Sequence, residues 1–296
     1  MCDNDYYIPE VPKLQIVICA LLINFLFGCK STYTDIHYQK LEDVTIGNGL
    51  TIHPIEKLVL ISKPTAKRSE SGKPIFRIFQ LQFNDSMWCC ETEVPFSSKF
   101  TDYHPIFSPD GQWVYYNSDR PIPASNKKSE KINIWRVKYH NGRWNDPEYL
   151  SAINTENHES YPTIAKNGTL YFNSDRTGGK GAMDIYKSEH INGQFIPPKP
   201  IVEFNSMNSE NDMFIDPQER FIILNRYQFN TKEIELFIAY NKNGIWSVPE
   251  PIHSINKKDT WELTPTLSPD GKYLFLEING KIHSLLTTDF LKNKSN

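Results

Sequence analysis

The sequence predicts an all-β fold, a five-bladed β-propeller of four-stranded antiparallel blades, and three observations predict it. The first is composition. Twenty prolines stand beside fourteen glycines, and aromatic residues make up 13% of the chain. With many Tyr, Phe, Ile and Thr, this favours many short strands over long helices. The second is a repeated strand–turn–strand unit: PIFSPDGQWVYYNSDR at 105–120, PTIAKNGTLYFNSDR at 162–176, MFIDPQERFIILNR at 213–226 and PTLSPDGKYLFLE at 265–277. Each is an apolar strand, a tight turn rich in Pro, Asp and Gly, and a second apolar strand, which is a hairpin signature. The third is a half-repeat carrying Asn-Gly at 141–142, 192–193 and 243–244, spaced by 51 residues each time. Asn-Gly is the strongest short-range signal for a two-residue hairpin turn.

In chain order, residues 1–28 read as a targeting segment. Ile16 to Phe27 carries no charge over twelve residues, short of the roughly 20 a membrane-spanning helix needs and suited to a signal-peptide core. Leu26-Phe27-Gly28-Cys29 followed by Lys30 resembles the lipobox of bacterial lipoproteins, which implies lipidation at Cys29. Phe27 is bulkier than usual there, and Asp3, Asp5 and Glu10 precede Lys13 where positive charge is expected. Residues 29–35 are then a linker, 36–290 the propeller and 291–296 a tail. Of five cysteines, only Cys89 and Cys90 lie beyond the targeting segment. Strand neighbours point to opposite faces, so a bridge between them requires a distorted strand. They also lack the CxxC spacing that marks redox or zinc chemistry.

The first repeat is the faintest: LVLIS at 58–62, IFRIFQLQF at 75–83, a turn at Asp85-Ser86 and then Trp88. Repeats two to four are complete, and Trp144, Phe195 and Trp246, two residues past each turn glycine, are expected to pack between neighbouring sheets. The fifth repeat stops after three strands, so the segment 36–46 is expected to supply its fourth and clasp the ring. Six blades is the alternative count, with a degenerate blade within 30–50. Stacking in a ring buries sheet faces and protects strand edges that would otherwise invite aggregation.

Ser108-Pro109-Asp110-Gly111 and Ser268-Pro269-Asp270-Gly271, with Asn117-Ser118-Asp119-Arg120 and Asn173-Ser174-Asp175-Arg176, resemble the TolB-type, WD-repeat-like propeller family over about residues 50–290. Repeat four departs from it, with Asn225-Arg226-Tyr227 in place of Ser-Asp-Arg. Repeat one lacks both motifs and repeat five the second. The resemblance implies an envelope-associated interaction module.

The SPDG and NG turns occupy one face of such a ring, and the longer loops between second and third strands occupy the other. Variable loops on a rigid scaffold are where binding usually lives. On that loop face an acid stands three residues before the first apolar strand in four repeats: Asp102, Glu159, Glu210 and Glu262. Two readings follow. The acids can hydrogen-bond the adjoining crossings, or form a negative ring that receives a basic peptide or a cation, with Arg120 and Arg176 bracing it. Asp119 and Asp175 read as structural ties.

With 32 basic against 35 acidic side chains the formal charge is −3, and no basic arm stands out, so no nucleic-acid partner is expected. The expected function is therefore a lipid-anchored protein-binding or scaffold module of the outer membrane, on its periplasmic or cell-surface side. Its partner would be an envelope protein or peptide. The alternative is a carbohydrate-active hydrolase, since two carboxyls flanking a glycan are the basis of glycoside hydrolysis. Against an enzyme, catalytic acid and base need unlike environments, whereas these four acids follow the repeat. HExxH, paired CxxC and GxSxG are absent, so no cofactor is expected. A structural calcium ion is the one metal with which the scattered Asp and Asn side chains are compatible.

Overall fold

The computed structural model describes residues 41, 48–69, 72–84, 87–123, 125 and 129–291. The expected targeting segment 1–28, the expected lipidation site Cys29, the expected linker 29–35, and residues 292–296 of the expected tail lie outside them. So does the expected closing strand 36–46, apart from Leu41.

The structure is a five-bladed β-propeller of antiparallel sheets. Blade 1 orders Leu50–Ile52, Leu58–Arg68, Pro74–Asn84 and Met87–Glu93 from the inside outward. Blades 2, 3 and 4 begin with Asp102–Phe107, Glu159–Ile164 and Ser209–Ile215. Blade 5 contributes Leu263–Leu267, Tyr273–Ile278 and Lys281–Leu286 among the described residues. Each innermost strand touches the next, and that of blade 5 touches that of blade 1, which closes the ring. Thr51, Phe107, Thr163, Ile215 and Thr266, one from each blade, line a central cavity of about 360 Å³ at the turn face.

Local chemistry explains the blades. Asn141-Gly142, Asn192-Gly193 and Asn243-Gly244 all have φ between +47° and +84° at both residues, as a type I′ hairpin turn requires. The fourth strands of blades 2, 3 and 4 are each split into two-residue pieces, interrupted at Pro147, at Pro197-Pro198 and at Pro249. Proline cannot donate to a ladder and is tolerated on such an edge. In blade 1 the stretch 63–74, between LVLIS and IFRIFQLQF, is mostly hairpin: Lys63 pairs with Arg77 and Pro64 with Phe76, with a register shift between Pro64 and Arg68. The two long strands project the hairpin beyond the rest of the blade.

Apolar side chains pack between sheets rather than within one. Leu58, Leu60 and Ile78 of blade 1 meet Val114, Tyr116 and Val137 of blade 2. Trp144, Phe195 and Trp246 fill these interfaces as expected, against Phe96 at 4.9 Å, Tyr115 at 6.5 Å and Phe204 at 5.1 Å between ring centroids.

Candidate functional site

The four predicted acids come first. Asp102, Glu159 and Glu210 are 0% exposed and Glu262 is 1% exposed, so none presents a carboxylate on the surface. Each of the first three is held by an arginine: Arg120 at 2.8 Å, Arg176 at 2.9 Å and Arg226 at 2.7 Å. Each also accepts the backbone N–H four residues earlier, from Ser98, Thr155 and Ser206 respectively. Glu262 accepts from the Thr260 hydroxyl at 2.5 Å, and its Oε2 has no hydrogen-bond partner.

The Asn-Ser-Asp-Arg motif is explained by the same geometry. Asn117 accepts Tyr161 N–H and Asn173 donates to Glu210 O, so the asparagine stitches one blade to the next. The hydroxyls of Ser118 and Ser174 accept from Arg120 and Arg176 Nε. Asp119 and Asp175 accept the N–H of Thr101 and His158, the residues that lead into the inner strands. The arginines also donate to Phe96 O and Ile153 O on the incoming crossings. Their guanidinium groups lie over aromatic rings, Arg120 over Tyr116 and Trp135 and Arg176 over Phe172 and Tyr186. A buried cation is compensated this way by charge, hydrogen bonds and π-faces together.

Two carboxyls that break the repeat were not singled out in the sequence. Asp212 stands where other blades have His104, Tyr161 and Thr264, and Glu277 where they have Asn117, Asn173 and Asn225. Both lie toward the channel on blades 4 and 5. Burial pushes Asp212 up to about 6, although Thr264 N–H and the Asn225 amide donate to its Oδ2. Burial, and then the charge of Asp212, pushes Glu277 up to about 7. Burial holds His104 down to about 3, a neutral imidazole with Nδ1 unpartnered. The readable signal was loss of repeat symmetry at positions with known counterparts. Beside Glu277 a cleft of about 370 Å³ is flanked by Asp259 and by Trp261, which is 51% exposed.

The inner strands of blades 2 to 5 carry a bulge where Asp212 and its counterparts sit, shown by register shifts at Tyr103/Ile106, Ser160/Thr163, Glu210/Met213 and Leu263/Thr266. The bulged strands turn side chains toward the channel. On the loop face they open a cavity of about 690 Å³ between blades 1, 2 and 3. Phe76, Tyr103 and Tyr161 form its aromatic wall, with ring centroids 6.2 Å and 6.3 Å apart in succession. Lys73, Asp119, Glu130 and His158 supply charge and hydrogen-bonding groups around it. Burial raises both tyrosines, and the charge of Asp212 adds to the effect, so they remain neutral donors at physiological pH. Among the described residues no group of three or more His, Cys, Asp or Glu side chains is gathered as a metal ion would need.

No family model matches the chain, and none of the curated proteins does. Solved structures do. A chain of the nidogen–laminin complex is 11% identical with a TM-score of 0.50, over 77% of this chain and 74% of that one. A gluconolactonase from Xanthomonas campestris is 9% identical with a TM-score of 0.45, over 84% and 88%. The periplasmic gluconolactonase of Pseudomonas aeruginosa is 13% identical with a TM-score of 0.42, over 81% and 68%. At such identities the likeness concerns fold alone, and the fold shared is the β-propeller.

Proposed function

We propose that this chain is a lipid-anchored β-propeller of the cell envelope that binds an extended segment of a partner protein across its loop face. The observation that carries the reading is the cavity between blades 1, 2 and 3. Its volume of about 690 Å³ falls in the usual range for ligand sites, and an aromatic wall with a few convergent polar groups is the usual lining. Rigid aromatics give contact area at low entropic cost, while Lys73, Asp119 and His158 offer partners for peptide and side-chain groups. In this reading Asp102, Glu159 and Glu210, with Arg120, Arg176 and Arg226, act from beneath: they hold the crossings that shape the face. The lipobox-like segment ending at Cys29 supplies the anchor, on the outer membrane and facing the periplasm or the cell surface.

The test is photo-crosslinking in intact envelopes with the full chain, comparing wild type with Phe76→Ala, Lys73→Glu and the turn-face variant Lys166→Glu. One crosslinked protein lost with the first two variants and kept with the third supports the reading. Capture unaffected by Phe76→Ala and Lys73→Glu removes the cavity from it.

A second reading, a carbohydrate-active hydrolase, is favoured by one observation. Trp261 is an exposed ring beside Glu277, a carboxyl that holds its proton near neutral pH and so fits a general acid. Turnover of a defined glycan, abolished by Glu277→Gln with the fold intact, would establish it.

A further inference from the structure

The sulfurs of Cys89 and Cys90 lie 2.9 Å apart on the outermost strand of blade 1. A regular strand would send them to opposite faces. Here the ladder pairs Gln82 with Cys89 but Gln80 with Thr92, so this strand carries an extra residue. Cys90 takes that bulge with a φ of +62°. The bulge folds the second thiol back beside the first. The Asn84 amide donates to Cys90 Sγ at 3.7 Å and holds it there. Cys90 is exposed and Cys89 half-buried, so one sulfur meets solvent and the other waits behind it.

We propose that Cys89 and Cys90 form a reversible dithiol–disulfide site that exchanges with disulfide oxidants. The separation is within an ångström of the disulfide bond length of about 2.05 Å, so closure needs side-chain rotation and no search by the chain. The Cys90 thiolate attacks one sulfur of the oxidant; that S–S bond breaks, and one thiolate leaves with the electron pair. Cys89 then loses its proton to water and attacks Cys90 Sγ, closing the intramolecular bond and expelling the second thiolate. Two protein thiols are oxidised by two electrons, and one disulfide is reduced to two thiols. Adjacent Cα atoms lie about 3.8 Å apart, below the usual Cα spacing across a disulfide. A bridge here is therefore strained, and strained exposed bridges are the labile ones. The site is thus suited to reversible exchange and unsuited to act as a permanent staple. It stands independently of the loop-face reading.

The experiment treats the reduced full chain, in detergent, with oxidised glutathione, then quenches in acid, alkylates and digests with trypsin. Cys89 and Cys90 share the peptide running from Ile78 to Lys99, and Cys2, Cys19 and Cys29 fall on others. The expected wild-type peptide is lighter by two hydrogens than the dithiol form, takes no alkyl group, and regains both alkylation sites after reduction. Cys89→Ser is expected to leave glutathione stably attached at Cys90. A wild-type peptide that stays doubly alkylated, retains glutathione, or appears crosslinked to a second copy overturns the proposal.

Discussion

Arg226 reaches the carboxylate of Glu210 through Nε at 2.7 Å from the strand position that serine occupies in blades 2 and 3. Arg120 and Arg176 lie two residues further along and reach Asp102 and Glu159 through Nη2 instead. Blade 4 therefore keeps the buried ion pair although its sequence lost the motif. Arg226→Met is expected to lower stability by about 3–5 kcal/mol, because it strands a carboxylate with no access to water. Adding Glu210→Gln should recover much of that loss. Urea unfolding of the single and double variants decides it, and equal losses would count against a stranded charge.

The channel carboxyls give a pH dependence of defined sign. Glu277 is raised to about 7 and Asp212 to about 6 in the folded chain. Between the ordinary carboxylate range near 4 and these values, the native state holds protons that the unfolded chain has released. Their contribution to stability is therefore complete at low pH and is lost as pH rises through about 6 to 7. Glu277→Gln cannot ionise. Its unfolding midpoint relative to wild type should climb from about pH 4 to about pH 7 and level off above that. A constant difference across that window would show that Glu277 is not raised.

Gly111 and Gly271 make a matched pair. Both end an SPDG turn, with φ of +72° and +71°. A methyl group at Gly271 meets nothing, whereas at Gly111 it lands on the His53 ring, which bonds Gly111 O at 3.2 Å. Gly271→Ala is expected to cost about 1–2 kcal/mol from the left-handed backbone alone. Gly111→Ala should cost measurably more, because it also displaces the contact between blades 1 and 2. Thermal unfolding of the two variants separates backbone strain from steric conflict.

Asn205 clamps the third strand of blade 3 by both its groups, accepting Ile185 N–H at 2.7 Å and donating to Ile185 O at 3.2 Å. Asn154 does the same to Ile134 and Asn256 to Leu236. Asn205→Ala takes the acceptor from the buried Ile185 N–H, while Ile185 O keeps the N–H of Ile201, at an expected cost of about 1–3 kcal/mol. Hydrogen exchange should then quicken first at Ile185. Unchanged protection there would mean that water or a neighbouring group replaces the clamp.

Much of the fold was legible because its determinants are local. Asn-Gly and SPDG turns set hairpin positions through a few φ angles and short hydrogen bonds. The spacing of 51 residues between Asn-Gly pairs reported a unit that is repeated in space. The candidate site was less legible. Asp102, Glu159, Glu210 and Glu262 were visible as a periodic set, but their burial depends on crossings folding over them. Asp212 and Glu277 carried no motif. Desolvation raises both, and the charge of Asp212 on one blade raises Glu277 on the next, which neither residue's neighbours in sequence reveal.

By itself the sequence determined the repeated blade unit, the placement of its turns and the pairing of strands within it, since hairpins require only contacts close along the chain; the ring of five, against the alternative of six, was decided by the structure. Only the tertiary structure decided which carboxyls are paired with arginine and which are left to hold protons. It alone brought Phe76, Tyr103 and Tyr161 to one wall, and brought two neighbouring cysteine sulfurs to the same side of a strand. The physical reason is that burial, a bulge and a cavity are set by packing between blades, where chain segments distant in sequence exclude water from one another.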